Sequence, residues 1–192
     1  MRSQKIRNFA IFLSISYLVY RYFLSGKATM ENAKDNQMFE CYGAKSISEI
    51  KDAITDTASL YAWGANFTDL YNMLFEIVCA ETNFGTAKDT TKESGEGLTQ
   101  FDKITFNELF QKAMAEGKMP RKFQTLNYYD LRKNPHFSLF MARYFLLKRI
   151  PHRIPATIEG RAHDWKKYYN TIHGKGTIKH YIDAESRWSY YK

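Results

Sequence analysis

The stretch TDLYNMLFEIVCAET, residues 68–82, decides the fold class of this chain. Its apolar residues recur every three or four positions, which is the spacing of one face of an α-helix. Thr68 is the predicted N-cap, and Glu81 falls at the C-terminal end of the helix. The apolar face consists of Leu70, Tyr71, Leu74, Phe75 and Val78, and the expected outer residues are Asp69, Asn72 and Glu76. The stretch therefore predicts an amphipathic helix that packs against other helices.

Further helical patterns lie on both sides of this stretch. Ser46 and Glu49 have the spacing of a capping box, so we expect the first helix of the domain to begin here. Residues 85–97 are rich in Thr, Lys and Gly and predict a turn-rich loop with one small hairpin. The other helical patterns cover 104–115, 137–148 and 161–169. Because the sequence has no series of alternating strands, we predict a mainly α domain.

The N-terminus differs in composition from the rest of the chain. Residues 9–20 carry no charge, and three basic residues precede them. A helix over 9–24 would rise roughly 24 Å, slightly less than the hydrocarbon thickness of a bilayer, and Arg21 could snorkel to close the gap. We predict a basic cytoplasmic N-terminus at 1–8, a transmembrane anchor at 9–24, a tether at 25–45 and one globular domain at 46–192.

The basic flank before the apolar stretch should keep the N-terminus inside and place the domain on the extracytoplasmic side of the membrane. A removable signal peptide is an alternative, and it would export the domain as well. A packed soluble helix is a third reading of the same residues. The first two readings agree that the domain acts outside the cytoplasm.

Charge and cysteine content narrow the class of protein. The 28 basic and 20 acidic residues give a net charge of +8, which favours a polyanionic partner such as nucleic acid, anionic lipid or cell-wall polymer. Cys41 and Cys79 could form one disulfide, although Cys79 lies in an apolar helical pattern that is typical of a core residue. The five histidines lack a recognised zinc spacing, so we expect no metal and no cofactor.

Three short segments carry the candidate chemistry: ETNFG at 81–85, GLTQF at 97–101, and YYN at 168–170 followed by GKG at 174–176. Their order resembles that of the soluble lytic transglycosylases and goose-type lysozymes. Those enzymes have a glutamate followed by Ser or Thr, a Gly-x-x-Gln element about twenty residues later, and a Tyr-Asn near the end. Here 19 residues separate Glu81 from Gln100, and the resemblance covers 46–182. Thr99, Tyr168 and the later position of GKG depart from the family pattern.

The resemblance implies a lysozyme-like domain and a role for each segment. Glu81 would be the catalytic acid and base, and Thr82 would orient its carboxyl group. Gln100 and Tyr169 would contact the sugar, while Asn170 would orient the last segment. We therefore expect Glu81 as the catalytic residue and the other four as substrate-binding residues, with peptidoglycan glycan strands as the partner.

The position of Glu81 also suits this chemistry in its own right. An acid that cleaves a glycosidic bond must still be protonated near neutral pH. The apolar run 77–80 precedes Glu81 and Phe84 follows it, so desolvation should raise the pKa of the carboxyl group. The C-terminal end of the helix dipole should raise that pKa further.

These patterns predict a peptidoglycan lytic transglycosylase that cleaves the bond between N-acetylmuramic acid and N-acetylglucosamine and forms a 1,6-anhydro product. Wall remodelling, assembly of a secretion apparatus and a phage virion membrane are all suitable settings.

A hydrolytic lysozyme is an alternative, and it would need a second carboxylate. The candidates for that carboxylate are Asp89, Glu93, Glu96 and Asp102. A non-catalytic, membrane-tethered wall-binding scaffold is another alternative. We expect no nucleic-acid partner, because it would leave the three segments unexplained.

Overall fold

The computed structural model describes residues 41–44, 46–60, 66–87, 95–171 and 174–192. The prediction of a mainly α domain is confirmed, and none of the described residues belongs to a β-strand. The α-helices in these ranges are α1 (Ile47–Ser59), α2 (Phe67–Thr82), α3 (Lys103–Ala115), α4 (Pro135–Arg149), α5 (Ile158–Asp164) and α6 (Ile178–Trp188). Short 3-10 turns occur at Cys41–Gly43, Arg121–Phe123, Tyr128–Arg132 and Ser189–Tyr191.

The predicted basic N-terminus, the anchor at 9–24 and most of the tether lie outside the described residues. Among the helices that are described, none combines the length and the apolar character that crossing a membrane requires. The described chain begins at the end of the predicted tether, with the turn Cys41–Gly43.

The first two helices begin with side-chain caps. Ser46 Oγ accepts a hydrogen bond from the Glu49 amide at 3.1 Å, so the predicted start of α1 is confirmed. The predicted cap of α2 is wrong, because Asn66 and not Thr68 occupies that position. Asn66 Oδ1 accepts from the Thr68 amide at 2.9 Å, which places Thr68 inside the first turn.

Helix α2 lies at the centre of the fold and packs against α1, α4 and α6. The expected outer position of Glu76 is therefore wrong: its side chain is 0% exposed. Arg161 of α5 binds both of its carboxylate oxygens at 2.7 Å, and Tyr181 of α6 donates to one of them at 3.1 Å. Lys192 adds an ion pair at 2.6 Å. Helix α6, which the sequence patterns did not predict, covers this side of α2.

Cys79 of α2 is buried, as its apolar pattern predicted, and it is a free thiol. Burial raises its pKa above the usual range, which keeps the thiol protonated. Cys79 therefore contributes to the core as an apolar side chain.

In its described residues the loop before α3 contains one isolated antiparallel bridge, and most of the segment in which a small hairpin was predicted, 88–94, lies outside the described residues. The backbone amides and carbonyls of Glu96 and Phe101 exchange hydrogen bonds of 2.9 and 3.0 Å. Gly97 and Gln100, inside this turn, have φ values of +79° and +48°. A Cβ on Gly97 would lie 2.6 Å from Ser138 Oγ, so the turn packs directly against α4.

The last predicted helical pattern, 161–169, divides into two parts. Helix α5 begins three residues earlier, at Ile158, and ends at Asp164. Trp165–Tyr169 then form a π turn, in which the Asn170 amide donates to the Trp165 carbonyl at 2.8 Å. This wide turn carries Trp165, Tyr169 and Asn170 into the candidate site.

Candidate functional site

Glu81 lies in the last turn of α2 and is half-buried. Its Oε1 accepts a hydrogen bond from the indole Nε1 of Trp165 at 2.8 Å. Burial raises the pKa of the carboxyl group to about 7, while the indole hydrogen bond acts in the opposite direction because it favours the charged form. At neutral pH the carboxyl group is thus divided between its two protonation states, which suits a group that must first give a proton and then take one.

Trp165 is a site residue that sequence reasoning missed. Its ring is buried and packs 5.0 Å from the ring of Tyr181. A Cβ on Gly176 would overlap the Trp165 ring, which explains why a glycine stands there. One signal for Trp165 was present in the sequence, which places a tryptophan four residues before Tyr169. A buried indole N–H requires a hydrogen-bond acceptor, so this tryptophan could have been expected to bind a polar group of the site. The periodicity of the sequence does not identify that acceptor as Glu81.

Thr82 connects the first two segments. Its side chain is 1% exposed. Its hydroxyl lies 3.1 Å from the Val78 carbonyl and 3.0 Å from the Leu98 carbonyl, and it accepts from the Gly85 amide at 3.1 Å. These contacts give Thr82 a structural role behind Glu81. In this conformation the residue has almost no surface that a substrate could contact.

Tyr169 connects the third segment to the second. Its hydroxyl donates to the Thr99 carbonyl at 2.7 Å, and its ring packs edge-on against Phe145 and Phe101. Burial raises the pKa of the phenol, and the negative charge of Glu81 raises it further. Tyr169 is therefore a neutral hydroxyl within the electrostatic field of Glu81.

Gln100 is half-buried and lies in the turn that Thr82 and Tyr169 hold. Its Nε2 donates to the Gly97 carbonyl and to the Tyr42 hydroxyl, each at 2.9 Å. Its Oε1 is buried and accepts no hydrogen bond from the described residues. Tyr42 is a second residue that sequence reasoning missed, because it lies in the predicted tether.

Asn170 follows the π turn and holds the glycine-containing segment behind it. Lys166 Nζ donates to Asn170 Oδ1 at 2.9 Å and to the Gly174 carbonyl at 2.8 Å. A Cβ on Gly174 would overlap Asn170, so the two residues are in close contact. These contacts suit the predicted role of Asn170 in orienting this segment.

The structure thus brings together the three segments that are far apart in the sequence. Two of the candidate second carboxylates also lie in the described part of the chain. Glu96 is paired with Arg132, and Asp102 caps α3 by accepting from the Thr105 amide at 2.8 Å. Asp89 and Glu93 lie outside the described residues.

Glu81 and its contacts are the features of this site that point to a function. Comparison of this chain with family models, curated proteins and solved structures finds no match.

Proposed function

We propose that this protein is a peptidoglycan lytic transglycosylase with a lysozyme-like domain, and that Glu81 is its catalytic acid and base. One observation carries the proposal. Burial raises the pKa of Glu81 to about 7, and the turn that carries Gln100 is bound both by Thr82, the residue after Glu81, and by Tyr169. Along the chain, the segments of Glu81, Gln100 and Tyr169 follow one another in the same order as the corresponding segments of the lytic transglycosylases that the sequence resembles.

The first step uses the protonated form of Glu81. Its carboxyl group donates a proton to the oxygen between N-acetylmuramic acid and N-acetylglucosamine, and the bond from that oxygen to the anomeric carbon of the muramoyl residue breaks. The leaving sugar departs with its hydroxyl group complete. The substrate's own N-acetyl group stabilises the positive anomeric centre, as in other substrate-assisted glycosidases.

The second step uses the carboxylate form. Glu81 removes the proton from the 6-hydroxyl of the muramoyl residue, and the oxygen attacks the anomeric carbon of the same sugar. A 1,6-anhydro ring forms without consumption of water, and Glu81 regains its proton. The Trp165 indole stabilises the carboxylate between the two steps, since its N–H donates to the charged oxygen.

A hydrolytic lysozyme would need a second carboxylate that activates water on the opposite side of the sugar ring. Glu96 and Asp102 are the candidates within the described residues, and each already has a partner in the fold. These contacts favour the transglycosylase over hydrolysis by either residue. The products distinguish the two reactions directly.

The cellular setting that we propose follows from the predicted anchor at 9–24. A domain tethered on the extracytoplasmic side of a membrane would reach only nearby glycan strands and would open the wall locally. A wall-remodelling system, a secretion apparatus and a phage virion membrane each need such an activity.

Digestion of purified peptidoglycan, followed by mass analysis of the muropeptides, tests the proposal. The parent protein should release fragments one water lighter than reducing-end fragments, and the Glu81→Gln variant should release none. Glu159→Gln is the matched control, because it removes an exposed carboxyl group from the start of α5. Reducing ends would identify a hydrolase instead. A Glu81→Gln variant as active as the parent would refute the role of Glu81, and binding without cleavage by the parent would identify a scaffold.

A further inference from the structure

A small open cavity of about 40 Å³ lies beside Tyr169, between α3 and α4. The other residues that line it are Gln100, Phe101, Asp102, Thr105 and Phe145. The cavity is too small to enclose a sugar ring, so a glycan would lie across its mouth. The carboxylate of Asp102 would repel an anion at this place, which favours the neutral part of a ligand over the cavity.

Arg149 lies one helical turn beyond Phe145 on α4. The central carbon of its guanidinium group is 5.9 Å from the centre of the Phe145 ring, and that ring packs 5.0 Å from the ring of Tyr169. The Arg149 side chain is 46% exposed. Two side-chain contacts thus connect a solvent-accessible cation to Tyr169. A ligand whose neutral part covers the cavity could reach Arg149 with a charged group.

The last turn of α4 carries two cations, and both pair with acidic residues of the α3 region. Lys148 Nζ is 2.7 Å from both carboxylate oxygens of Glu116, and these side chains are 26% and 30% exposed. Arg149 Nη2 is 3.4 and 3.2 Å from the carboxylate oxygens of Glu108, and these side chains are 46% and 57% exposed. A long, exposed ion pair contributes little to stability. A ligand carboxylate can therefore replace Glu108 at low cost.

We propose that Arg149 binds a carboxylate of the short peptides that peptidoglycan strands carry on their muramoyl residues. This inference rests on the proposed function, and it makes Arg149 a residue that selects strands with peptides over strands without them. A guanidinium group has five N–H donors in a planar fork, which matches a carboxylate in shape and charge. Glu108 acts in the opposite direction, because its carboxylate competes with the ligand for the same group.

Two substrates test this inference on the full chain. They are solubilised peptidoglycan strands with their peptides and the same strands after an amidase has removed the peptides. The parent should have the lower KM on strands with peptides. Arg149→Gln should raise that KM about three- to tenfold and leave kcat within about twofold, because it removes one charged contact that is equally strong in the ground state and the transition state. The KM on strands without peptides should not change.

Glu108→Gln should lower the KM on strands with peptides about two- to threefold, because it removes the competing carboxylate. The opposite signs distinguish a ligand site from a structural ion pair, since loss of either partner would break a structural pair in the same way. Lys148→Gln is the matched control: it removes the neighbouring positive charge of α4, keeps Arg149 and should leave both KM values unchanged.

Three results would overturn this inference while an active parent still supported the proposed function. They are an equal parent KM on the two substrates, a change in Arg149→Gln that is the same on both substrates, and a rise in KM in Glu108→Gln as well as in Arg149→Gln. A parent that cleaves neither substrate would overturn the inference and the proposed function together.

Discussion

Replacing Glu81 with glutamine should stabilise the protein at pH 8 and have little effect at pH 4. The carboxyl group is half-buried, and its pKa rises from 4.5 to about 7 in the fold. Between pH 4.5 and about pH 7, the Glu81 carboxyl group is deprotonated in the unfolded chain but still protonated in the folded protein. The free energy of unfolding therefore decreases as the pH rises through this window.

The size of the effect follows from the two pKa values. A change from 4.5 to about 7 corresponds to about 3 kcal/mol of stability that the parent loses between pH 4 and pH 8. Glutamine has nearly the same shape and can still accept the hydrogen bond from Trp165, but it does not titrate. The difference in stability between Glu81→Gln and the parent should thus increase by about 3 kcal/mol over this range.

Chemical denaturation of both proteins at a series of pH values measures this difference. The other titrating groups are common to both proteins and cancel in the comparison. Glu159→Gln, which removes an exposed carboxyl group, controls for the loss of one negative charge. A stability difference that stays constant from pH 4 to pH 8 would show that the fold does not raise the pKa of Glu81. The main physical argument for Glu81 as an acid would then be refuted.

Three further substitutions, with Trp188→Phe as a control, test the contacts of the site and of the core behind it. Trp165→Phe should move the alkaline limb of the cleavage rate to higher pH by roughly one pH unit, because the lost hydrogen bond favoured the carboxylate. Trp188→Phe, which removes an indole hydrogen bond to an amide oxygen, should leave that limb in place in the same pH–rate measurement. Thr82→Val should lower the free energy of unfolding by about 1–3 kcal/mol, because buried backbone groups lose their partner; denaturant titration measures this. Glu76→Gln should cost about 3–5 kcal/mol in the same titration, and a loss below 1 kcal/mol would contradict the importance of the buried ion pair.

Local patterns predicted those features of the fold that depend on neighbouring residues. The helix start at Ser46, the helical patterns of α3 and α4 and the position of Glu81 at the end of α2 all correspond to the structure. The burial of Glu76 could not be predicted in this way. Its main partner, Arg161, lies 85 residues away, and periodicity along one helix does not report a partner on another.

The same limit applies to the candidate site. The order of the three segments predicted that Glu81, Gln100 and Tyr169 belong together, and the structure brings their segments into contact. Trp165 and Tyr42 could not be predicted as partners, because each hydrogen bond spans more than fifty residues. Their roles depend on the π turn and on the turn at Cys41–Gly43, and no local propensity identifies either one.

The π turn at Trp165–Tyr169 constrains how the length of this chain can change during evolution. A π turn contains one residue more than an α turn, so deletion of one residue from it would restore an ordinary helix. Every later position would then rotate by about 100° relative to Trp165. The Tyr169 hydroxyl would move away from the Thr99 carbonyl even though each amino acid was retained. Gly117 lies in an exposed turn after α3, where an added Cβ would have no neighbouring atom within 4 Å, so we expect changes of length to be tolerated better there than in the π turn.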